Sequence, residues 1–383
     1  MSKIKVATIL GTRPEIIRLS RVIARFDELT DHVLIHTGQN WDYELNELFF
    51  EELDVRQPDY FFGSGGGSLG ETLSSILIES EKVLAAEKPD AVLILGDTNS
   101  AIAAIMAKRM KIPVYHMEAG NRSFDQNVPE ETNRRLVDHI SDFNLVYTEH
   151  ARRHLLAEGL PHRRINLTGS PMNEVLTHFK EKIESSTVLE KLDLEAREYF
   201  VVSLHREENV DNSARLLQLV SSLNFLAGKY NFPVIISTHP RTKDRLSKLS
   251  VELHGNLQFL KPFGFYDYNK LQMECFCAVS DSGTIAEEAS ILSFPAVTPR
   301  DSIERPEGLD TGCIVMTGTD PATITNGVEM AASIYAESEI RGERVPLPRD
   351  YAITDTSKRV VQLVVGTAKL SNQWSGVRAN DLT

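Results

Sequence analysis

Length, composition and charge limit what this chain can be. It has 383 residues, 42% of them hydrophobic and 25% charged, and its formal net charge is −13. The length is too great for one ordinary core and indicates two soluble globular domains. The acidic balance argues against a binding surface for nucleic acid or an anionic membrane. Because the longest apolar runs have strand length, we expect no membrane-spanning helix.

The first half of the chain alternates strand-like and helical patterns. Short β-rich runs are predicted at 5–10, 32–36, 91–95, 113–117, 144–147 and 164–167. Helical patterns are predicted between them at 15–29, 69–86, 101–109, 131–140 and 149–158. Strands that alternate with helices at this spacing predict a parallel, doubly wound sheet.

The second half repeats this alternation after a charged stretch at 180–198, where we expect the chain to cross between domains. Strands are predicted at 199–204, 234–238, 257–260, 278–280, 295–298 and 313–316. Helices are predicted at 213–229, 267–274, 284–291 and 321–335, and a final one at 357–370. The predicted fold class is therefore α/β, with two Rossmann-like doubly wound parallel-sheet domains and an active site in the interdomain cleft.

Carboxylates follow two strands of the first half. Asp97 lies in LGDT, Glu118 in HMEAG, and Glu130 comes shortly afterwards with Arg134 close to it. Open α/β sheets carry their chemistry at the carboxyl ends of the strands, so these residues together predict acid/base work on an anionic substrate. Any one of the carboxylates alone would be better explained as a helix N-cap or a surface charge.

An arginine stands at the first strand–helix turn, in GTRPE. Arg13 would point from a helix N-terminus, where anions are already favoured. A solvated loop arginine is an equal alternative unless other anion-binding groups join it.

Such groups follow the strands of the second half. They are His205, Arg206, His239, Arg241, Ser282, Gly283, Thr284, Arg300 and Arg305. A Ser-Gly-Thr turn at a helix N-terminus offers N–H groups and hydroxyls to a phosphate, and an acid one turn later, Glu287 or Glu288, could accept from ribose hydroxyls. A lone histidine would be structural, but the set predicts a nucleotide-diphosphate pocket. With no DxD-like motif or zinc-type spacing, we expect no metal.

Two further features concern the glycines and the cysteines. GGGSLG at 65–70 matches the dinucleotide pattern G-x-G-x-x-G, but it does not follow the first strand, so we predict a mobile loop and no nicotinamide site. Cys275, Cys277 and Cys313 lie in apolar or strand-like stretches without CxxC spacing. They predict buried thiols in a reducing cytoplasm.

Eight motifs, taken in chain order, resemble one family. They are GTRPEIIR, GDTNS, HMEAGNR, PEETNR, LHREEN, HPR, SDSGTIAEE and RDSIERPEG, and they resemble the non-hydrolysing UDP-N-acetylglucosamine 2-epimerases over nearly the whole chain. The resemblance implies a glycosyltransferase-B-like fold and no cofactor. It implies an N-terminal domain at 1–172 with 360–383 returning to it, and a UDP-binding domain at 173–359.

The resemblance also implies roles for single residues. Around UDP it places Arg13, His205, Arg206, His239, Ser282, Gly283 and Glu288. Around the reacting sugar it places Asp97, Glu118, Glu130, Arg134 and His205. The implied reaction is anti elimination of UDP to a 2-acetamidoglycal, protonation of C2 from the other face, and re-addition of UDP. A carboxylate takes the weakly acidic C2 proton while cations stabilise the leaving diphosphate; which carboxylate is the base stays open.

A narrower resemblance concerns the substrate. HTGQNWDYELNELFF, HMEAGNRSFDQNVPEETNRR and THPRT look like the branch that converts UDP-2-acetamido-2,6-dideoxy-L-talose to UDP-N-acetyl-L-fucosamine for bacterial capsule or O-antigen synthesis. The chain departs from the commoner pattern at Glu207, where those members have a second arginine, and at 39–42. The latter positions contribute in some relatives to an allosteric UDP-N-acetylglucosamine site, so we do not expect that regulation.

Other functions remain as alternatives. The first is a 2-epimerase that interconverts UDP-N-acetylglucosamine and UDP-N-acetylmannosamine. A hydrolysing relative would release free sugar, a transferase of the same fold would need an acceptor groove, and a UDP-sugar sensor would lack the acids. The expected partners are a UDP-sugar and, because symmetric dimers are common, a second copy of the chain.

Overall fold

The structure is a computed structural model that describes residues 3–39, 43–238 and 251–377. The chain divides into two compact units, Met1–Thr177 with Ile353–Thr383, and His178–Ala352. The predicted site residues His239 and Arg241 lie outside the described residues.

The first unit contains a parallel sheet of seven described strands in the order β3-β2-β1-β4-β5-β6-β7. The strands are β1 Lys5–Leu10, β2 Asp31–His36, β3 Tyr60–Phe61, β4 Ala91–Leu95, β5 Val114–Met117, β6 Phe143–Val146 and β7 Ile165–Leu167. The helices are α1 Arg13–Leu29, α2 Tyr43–Glu52, α3 Leu69–Glu87, α4 Ala104–Arg109, α5 Pro129–Ile140, α6 Glu149–Ala157, α7 Met172–His178 and the chain's last helix, α16 Thr356–Trp374. Every residue of β4 is buried, as in a sheet that helices cover on both faces.

The second unit contains a parallel sheet of six described strands in the order β10-β9-β8-β11-β12-β13. The strands are β8 Phe200–Ser203, β9 Val234–Ser237, β10 Leu257–Leu260, β11 Cys277–Ser280, β12 Ala296–Thr298 and β13 Val315–Met316. The helices are α8 Lys180–Glu184, α9 Val188–Lys191, α10 Glu207–Val210, α11 Ser213–Tyr230, α12 Phe265–Glu274, α13 Ile285–Leu292, α14 Glu307–Asp310 and α15 Pro321–Arg341.

The strand order reverses once in each sheet, and in each unit candidate site residues follow the strands beside the reversal. In the first unit the reversal lies between β1 and β4, and in the second between β8 and β11. A crevice forms at the carboxyl ends of the strands at such a switch point, and open α/β sheets bind their ligands there. The predicted fold class, two doubly wound parallel-sheet α/β domains, is confirmed.

Several elements differ from the sequence prediction in extent. The charged stretch at 180–198 contains two short helices, α8 and α9, and α2 was not predicted. The last helix is longer than predicted and is fixed to the first unit, where Arg164 lies over the rings of Phe143 and Trp374 and donates to Ser371. No helix within the described residues is long and apolar enough to span a bilayer.

The cysteines are buried and carry free thiols, as predicted. Burial raises the pKa of Cys275 to about 12 and that of Cys313 to about 11, so both stay protonated and unreactive at neutral pH. Among the described residues no cluster of His, Cys, Asp and Glu is arranged to hold a metal ion.

Candidate active site

Asp97 lies at the carboxyl end of β4, beside the switch point of the first sheet. Its Oδ2 accepts from Nε of Arg134 at 2.9 Å and from Nη2 at 2.5 Å. The same guanidinium donates through Nη1 to Glu131 at 2.9 Å. The Arg134 side chain is 5% exposed and that of Asp97 is 26% exposed. A buried arginine therefore orients a carboxylate that solvent or a ligand can still reach.

Glu118 follows β5, the neighbouring strand, and has the same kind of partner. Its Oε2 accepts from Nη1 of Arg18, a buried residue of α1, and its Oε1 accepts from Asn121 at 3.3 Å. The backbone of Glu118 is left-handed, with φ of 63°. A Cβ at Gly96 would approach Glu118 Oε2 to 3.3 Å, so the glycine leaves room for this carboxylate. The two strand-end carboxylates thus each contact a buried arginine.

A fully buried polar network lies behind Glu118. The His116 ring is held between the Gly96 carbonyl, 2.7 Å from Nε2, and Asp138, 2.9 Å from Nδ1. Asp138 accepts hydrogen bonds from the Gly120 N–H and from Nη1 of Arg122 at 2.7 Å. These contacts join the residues before and after Glu118 to α5. They fix the position of the loop that carries the carboxylate.

The adjacent acids Glu130 and Glu131 have different environments. Glu131 is buried, and it accepts from the N–H and hydroxyl of Ser123 and from both Arg134 and Arg135. Burial alone would raise the pKa of Glu131, but these partners outweigh it and the pKa lies below its ordinary value. Glu130 is half-buried in the first turn of α5. Glu131 is therefore an anchor, and Glu130 remains the candidate for proton transfer.

Arg13 lies at the N-terminus of α1, with its guanidinium carbon 5.9 Å from the centre of the Phe49 ring. Two residues later, Glu15 is 1% exposed and accepts from the Gly11 N–H, the Thr12 hydroxyl and the Thr98 hydroxyl. Burial is the largest influence on this carboxyl and raises its pKa to about 7 in spite of these hydrogen bonds.

The raised pKa of Glu15 predicts a pH-dependent loss of stability. The pKa of Glu15 is about 7 in the folded state and near 4.5 in the unfolded state. The protonated carboxyl therefore makes its full contribution to the free energy of unfolding below about pH 4.5, and this contribution is lost as the pH rises toward 7. The free energy of unfolding of Glu15→Gln relative to wild type should therefore rise by roughly 3 kcal/mol over this interval, measured by urea unfolding. Glu71, whose pKa is lowered from 4.5, is the control: the stability of Glu71→Gln relative to wild type should stay constant between pH 4.5 and 7 and should change, in the opposite sense, only below about 4.5. A rise between pH 4.5 and 7 equal to that of Glu15→Gln would contradict the assignment.

In the second unit, Asp281 organises the end of β8. It is fully buried and accepts from the backbone N–H groups of His205 and Arg206 and from the Asn209 side chain. Its Oδ1 lies 3.1 Å from Nδ1 of His205, whose ring is half exposed. Burial would raise the pKa of Asp281, but His205 and the other donors outweigh it and hold the pKa below its usual value.

Two arginines of the second unit share one carboxylate. Arg300 is buried and donates to both oxygens of Glu304, at 2.8 and 3.0 Å. Nη2 of Arg206 lies 3.8 Å from Glu304 and 3.2 Å from the Cβ that a side chain at Gly283 would add. Gly283 therefore lets the Arg206 guanidinium approach the turn that precedes α13.

That turn carries the predicted phosphate-binding groups. The hydroxyls of Ser282 and Thr284 are 2.8 Å apart at the N-terminus of α13. The acids of its first turn, however, have protein partners: Gln272 donates to Glu288, and Arg305 lies 3.2 Å from Glu287. The Arg305 side chain is only 4% exposed, so its charge faces Glu287 inside the protein.

Comparison with known proteins identifies the family. The model of the UDP-N-acetylglucosamine 2-epimerase family matches residues 24–365 of the chain. The chain belongs to this family. A UDP-N-acetylglucosamine 2-epimerase of Methanococcus maripaludis is 41% identical over 335 residues, which cover 85% of this epimerase and 91% of the relative.

Solved structures agree with the fold of the epimerase. A UDP-N-acetylglucosamine 2-epimerase from Rickettsia bellii is 46% identical with a TM-score of 0.90, over 98% of this chain and 100% of that one. The Methanocaldococcus jannaschii enzyme, in complex with UDP-GlcNAc and UDP, is 34% identical with a TM-score of 0.87, over 95% of this chain and 100% of that one. A spinosyn rhamnosyltransferase at 13% identity and a TM-score of 0.53 resembles it in fold alone, consistent with the glycosyltransferase-B-like class.

The structure of the epimerase brings some predicted residues together and adds others. Asp97 and Arg134 are in contact, as are His205 and Asp281, whereas Arg305 is turned toward Glu287. Sequence reasoning did not find Arg18. A signal for it existed, because Arg18 lies at the helical spacing of the buried Val22 and Phe26, where a charged side chain needs a buried partner.

Proposed function

We propose that this epimerase inverts C2 of a UDP-N-acetylhexosamine by anti elimination and re-addition of UDP. The observation that carries the proposal is the pair of strand-end carboxylates, Asp97 and Glu118, each oriented by a buried arginine at the switch point of the first sheet. Inversion at one carbon needs proton removal on one face and proton delivery on the other, and therefore more than one positioned acid. Glu130 is the third candidate for this proton transfer.

The second unit supplies the groups that we assign to UDP. Loss of UDP from C1 must accompany removal of the weakly acidic C2 proton, so donors and cations that stabilise the diphosphate lower the barrier. Arg206 and the Ser282–Gly283–Thr284 turn at the start of α13 have this chemistry. His205 is held through Nδ1 by Asp281, which leaves Nε2 as the ring nitrogen for the substrate.

We further propose the 6-deoxy-L-talo nucleotide sugar as the substrate and UDP-N-acetyl-L-fucosamine as the product, for bacterial capsule or O-antigen synthesis. The support is the likeness of residues 36–50, 116–135 and 238–242 to that branch. The alternative is UDP-N-acetylglucosamine, the substrate in the names of the relatives. We propose that the enzyme is cytoplasmic, and the free cysteines are consistent with a reducing compartment. We also propose that it is a homodimer.

Proton exchange at C2 tests the proposed reaction. The enzyme is incubated with each UDP-N-acetylhexosamine in D₂O and C2 is followed by NMR. We expect deuterium at C2 while the bond between sugar and UDP is retained at equilibrium. Free sugar formed in proportion to UDP would instead identify a hydrolase, and transfer without exchange would identify a transferase.

The ratio of kcat/KM for the two nucleotide sugars tests the branch. We expect it to favour the 6-deoxy-L-talo substrate by at least about tenfold, the scale on which a pocket discriminates small differences in a substrate. A preference for UDP-N-acetylglucosamine would refute the branch assignment and leave the epimerase chemistry in place.

A further inference from the structure

Two helices of the first unit begin with the same sequence pattern. Ser68 and Glu71 precede and open α3, and Thr12 and Glu15 do the same for α1. In both cases Ser or Thr at the N-cap is followed three residues later by Glu, which is the signature of a capping box. In α3 the box is formed, because Ser68 accepts from the Glu71 N–H and Glu71 accepts from the Ser68 N–H.

In α1 the same residues do not form a capping box. The Thr12 side chain accepts no capping bond and instead donates its hydroxyl to Glu15 Oε2 at 2.7 Å. Glu15 also accepts from the N–H of Gly11, one residue before the N-cap, at 3.1 Å. Its other oxygen, Oε1, accepts from the Thr98 hydroxyl at 3.3 Å. One carboxyl therefore joins the turn after β1 to the turn after β4.

Burial makes this arrangement unfavourable unless it serves another purpose. Glu71 is exposed at the surface, but Glu15 is 1% exposed, and burying a carboxylate carries a desolvation cost. Helix capping alone does not require that cost, since Glu71 achieves it in water. What the buried position adds is the contact with Thr98, the residue directly after Asp97.

The neighbouring hydroxyls connect the same strand ends. Thr37, which follows β2, lies 2.8 Å from Ser100 through their hydroxyl oxygens. A Cβ at Gly11 would come within 2.1 Å of both oxygens, so the turn after β1 packs directly on this pair. The turn that carries Asp97 is thus fixed against the turns after β1 and β2 by side-chain bonds.

We infer that Glu15 is a positioning residue for the epimerase reaction, which holds the Asp97–Thr98 turn at a fixed distance from the turn that carries Arg13. The inference rests on the proposed function, in which Asp97 transfers a proton at C2. Glu15 acts through Thr98 and does not itself react. A carboxylate displaced by about 1 Å from its productive geometry can lose about a hundredfold in rate, so a small loosening of this turn has a large consequence.

Substitution of Glu15 by residues of the same length tests the inference. Glu15→Met keeps the length of the side chain but removes its hydrogen bonds. It should lower kcat for C2 exchange about 10- to 100-fold with little change in KM. Glu15→Gln should restore most of kcat, because its amide oxygen accepts from Gly11 and Thr12 and its amide nitrogen donates to the Thr98 hydroxyl. Glu71→Met, at the matched position of α3, should leave kcat unchanged.

Thr98→Val removes the link from its other side, and it decides the question if Glu15→Met does not fold. It should lower kcat as Glu15→Met does, and the double variant should be no slower than either single one. Wild-type kcat in a folded Glu15→Met or Thr98→Val, or equal losses in Glu15→Met and Glu71→Met, would overturn the inference alone. Absence of C2 exchange in the wild type would overturn the proposed function and the inference together.

Discussion

Asp97→Asn should lower the rate of C2 exchange by roughly 10²- to 10⁴-fold, the usual contribution of a general acid or base, while UDP binding is retained. The substitution is nearly isosteric; it removes the ability to take or give the proton, together with the negative charge that faces Arg134. The fold should tolerate it because Arg134 keeps its bond to Glu131, so the buried guanidinium retains a carboxylate. Single-turnover exchange and UDP titration measure the two quantities separately.

The matched control lies at the other end of the same strand. Asp90 directly precedes β4 and accepts from the Lys5 N–H at 2.9 Å, a bond that the amide oxygen of asparagine also accepts. Asp90→Asn should therefore exchange C2 at the wild-type rate. If Asp97→Asn keeps full exchange, Asp97 does not transfer the proton, and this role must be assigned to Glu118 and Glu130. If the substitution unfolds the protein, Asp97 has a structural role.

Glu118→Gln should also lower the rate of C2 exchange, but it is a less specific test. Glu118 is the carboxylate that Arg18 contacts, and both side chains are only 10% exposed. Removing one member of a buried ion pair is more destabilising than removing an exposed one. We therefore expect this variant to lose stability as well as activity, which is why Asp97 is the better choice for separating chemistry from folding.

The sequence predicted the strand ends better than it predicted side-chain partners. Asp97, Glu118 and His205 could be placed because strand length, apolar runs and the rule for carboxyl ends of parallel strands are local or topological properties. The partners are not local: Arg18 and Glu118 are separated by 100 positions, and Arg134 and Asp97 by 37. Such pairs become visible only when helices are packed on the sheet.

Adjacent residues of the same type also show that the sequence does not reveal tertiary partners. Nothing in the sequence distinguishes Glu130 from Glu131, because their separation into a half-buried and a buried side chain depends on where α5 lies against the loop at Ser123. The same holds for the two capping-box patterns, where Glu71 caps its helix and Glu15 contacts another strand end. Tertiary contacts override a local signature where burial offers other partners.

Arg122→Met should lower the free energy of unfolding by about 3–5 kcal/mol, the range for removing one member of a buried ion pair. Arg122 is 1% exposed and donates to Asp138 at 2.7 Å and to Glu158 at 2.7 and 2.8 Å. Asp138 is fully buried, so the loss of the guanidinium removes its nearest fixed positive charge from a site without water access. Urea unfolding at neutral pH gives the size of the effect.

Unfolding at acidic pH provides a second, independent test of the prediction for Arg122→Met. Arg122 is the largest of the influences that lower the pKa of Glu158 to about 2. A carboxyl whose pKa is lowered stabilises the fold above its unfolded pKa, near 4.5, and loses that contribution as the pH falls toward 2. The stability difference between wild type and Arg122→Met should therefore narrow as the pH is lowered through this interval.

Arg135→Met is the matched control for Arg122→Met, because it removes a positive charge from the same network at a more exposed position. Arg135 contacts Glu158 at 3.3 Å and Glu131 at 2.9 Å, but its side chain is 37% exposed, so its loss should cost less than about 1 kcal/mol. Equal effects of the two substitutions would mean that Asp138 tolerates burial without Arg122. If the effects differ as expected, C2 exchange should also fall more in Arg122→Met, because Asp138 holds both His116 and Gly120 on either side of Glu118.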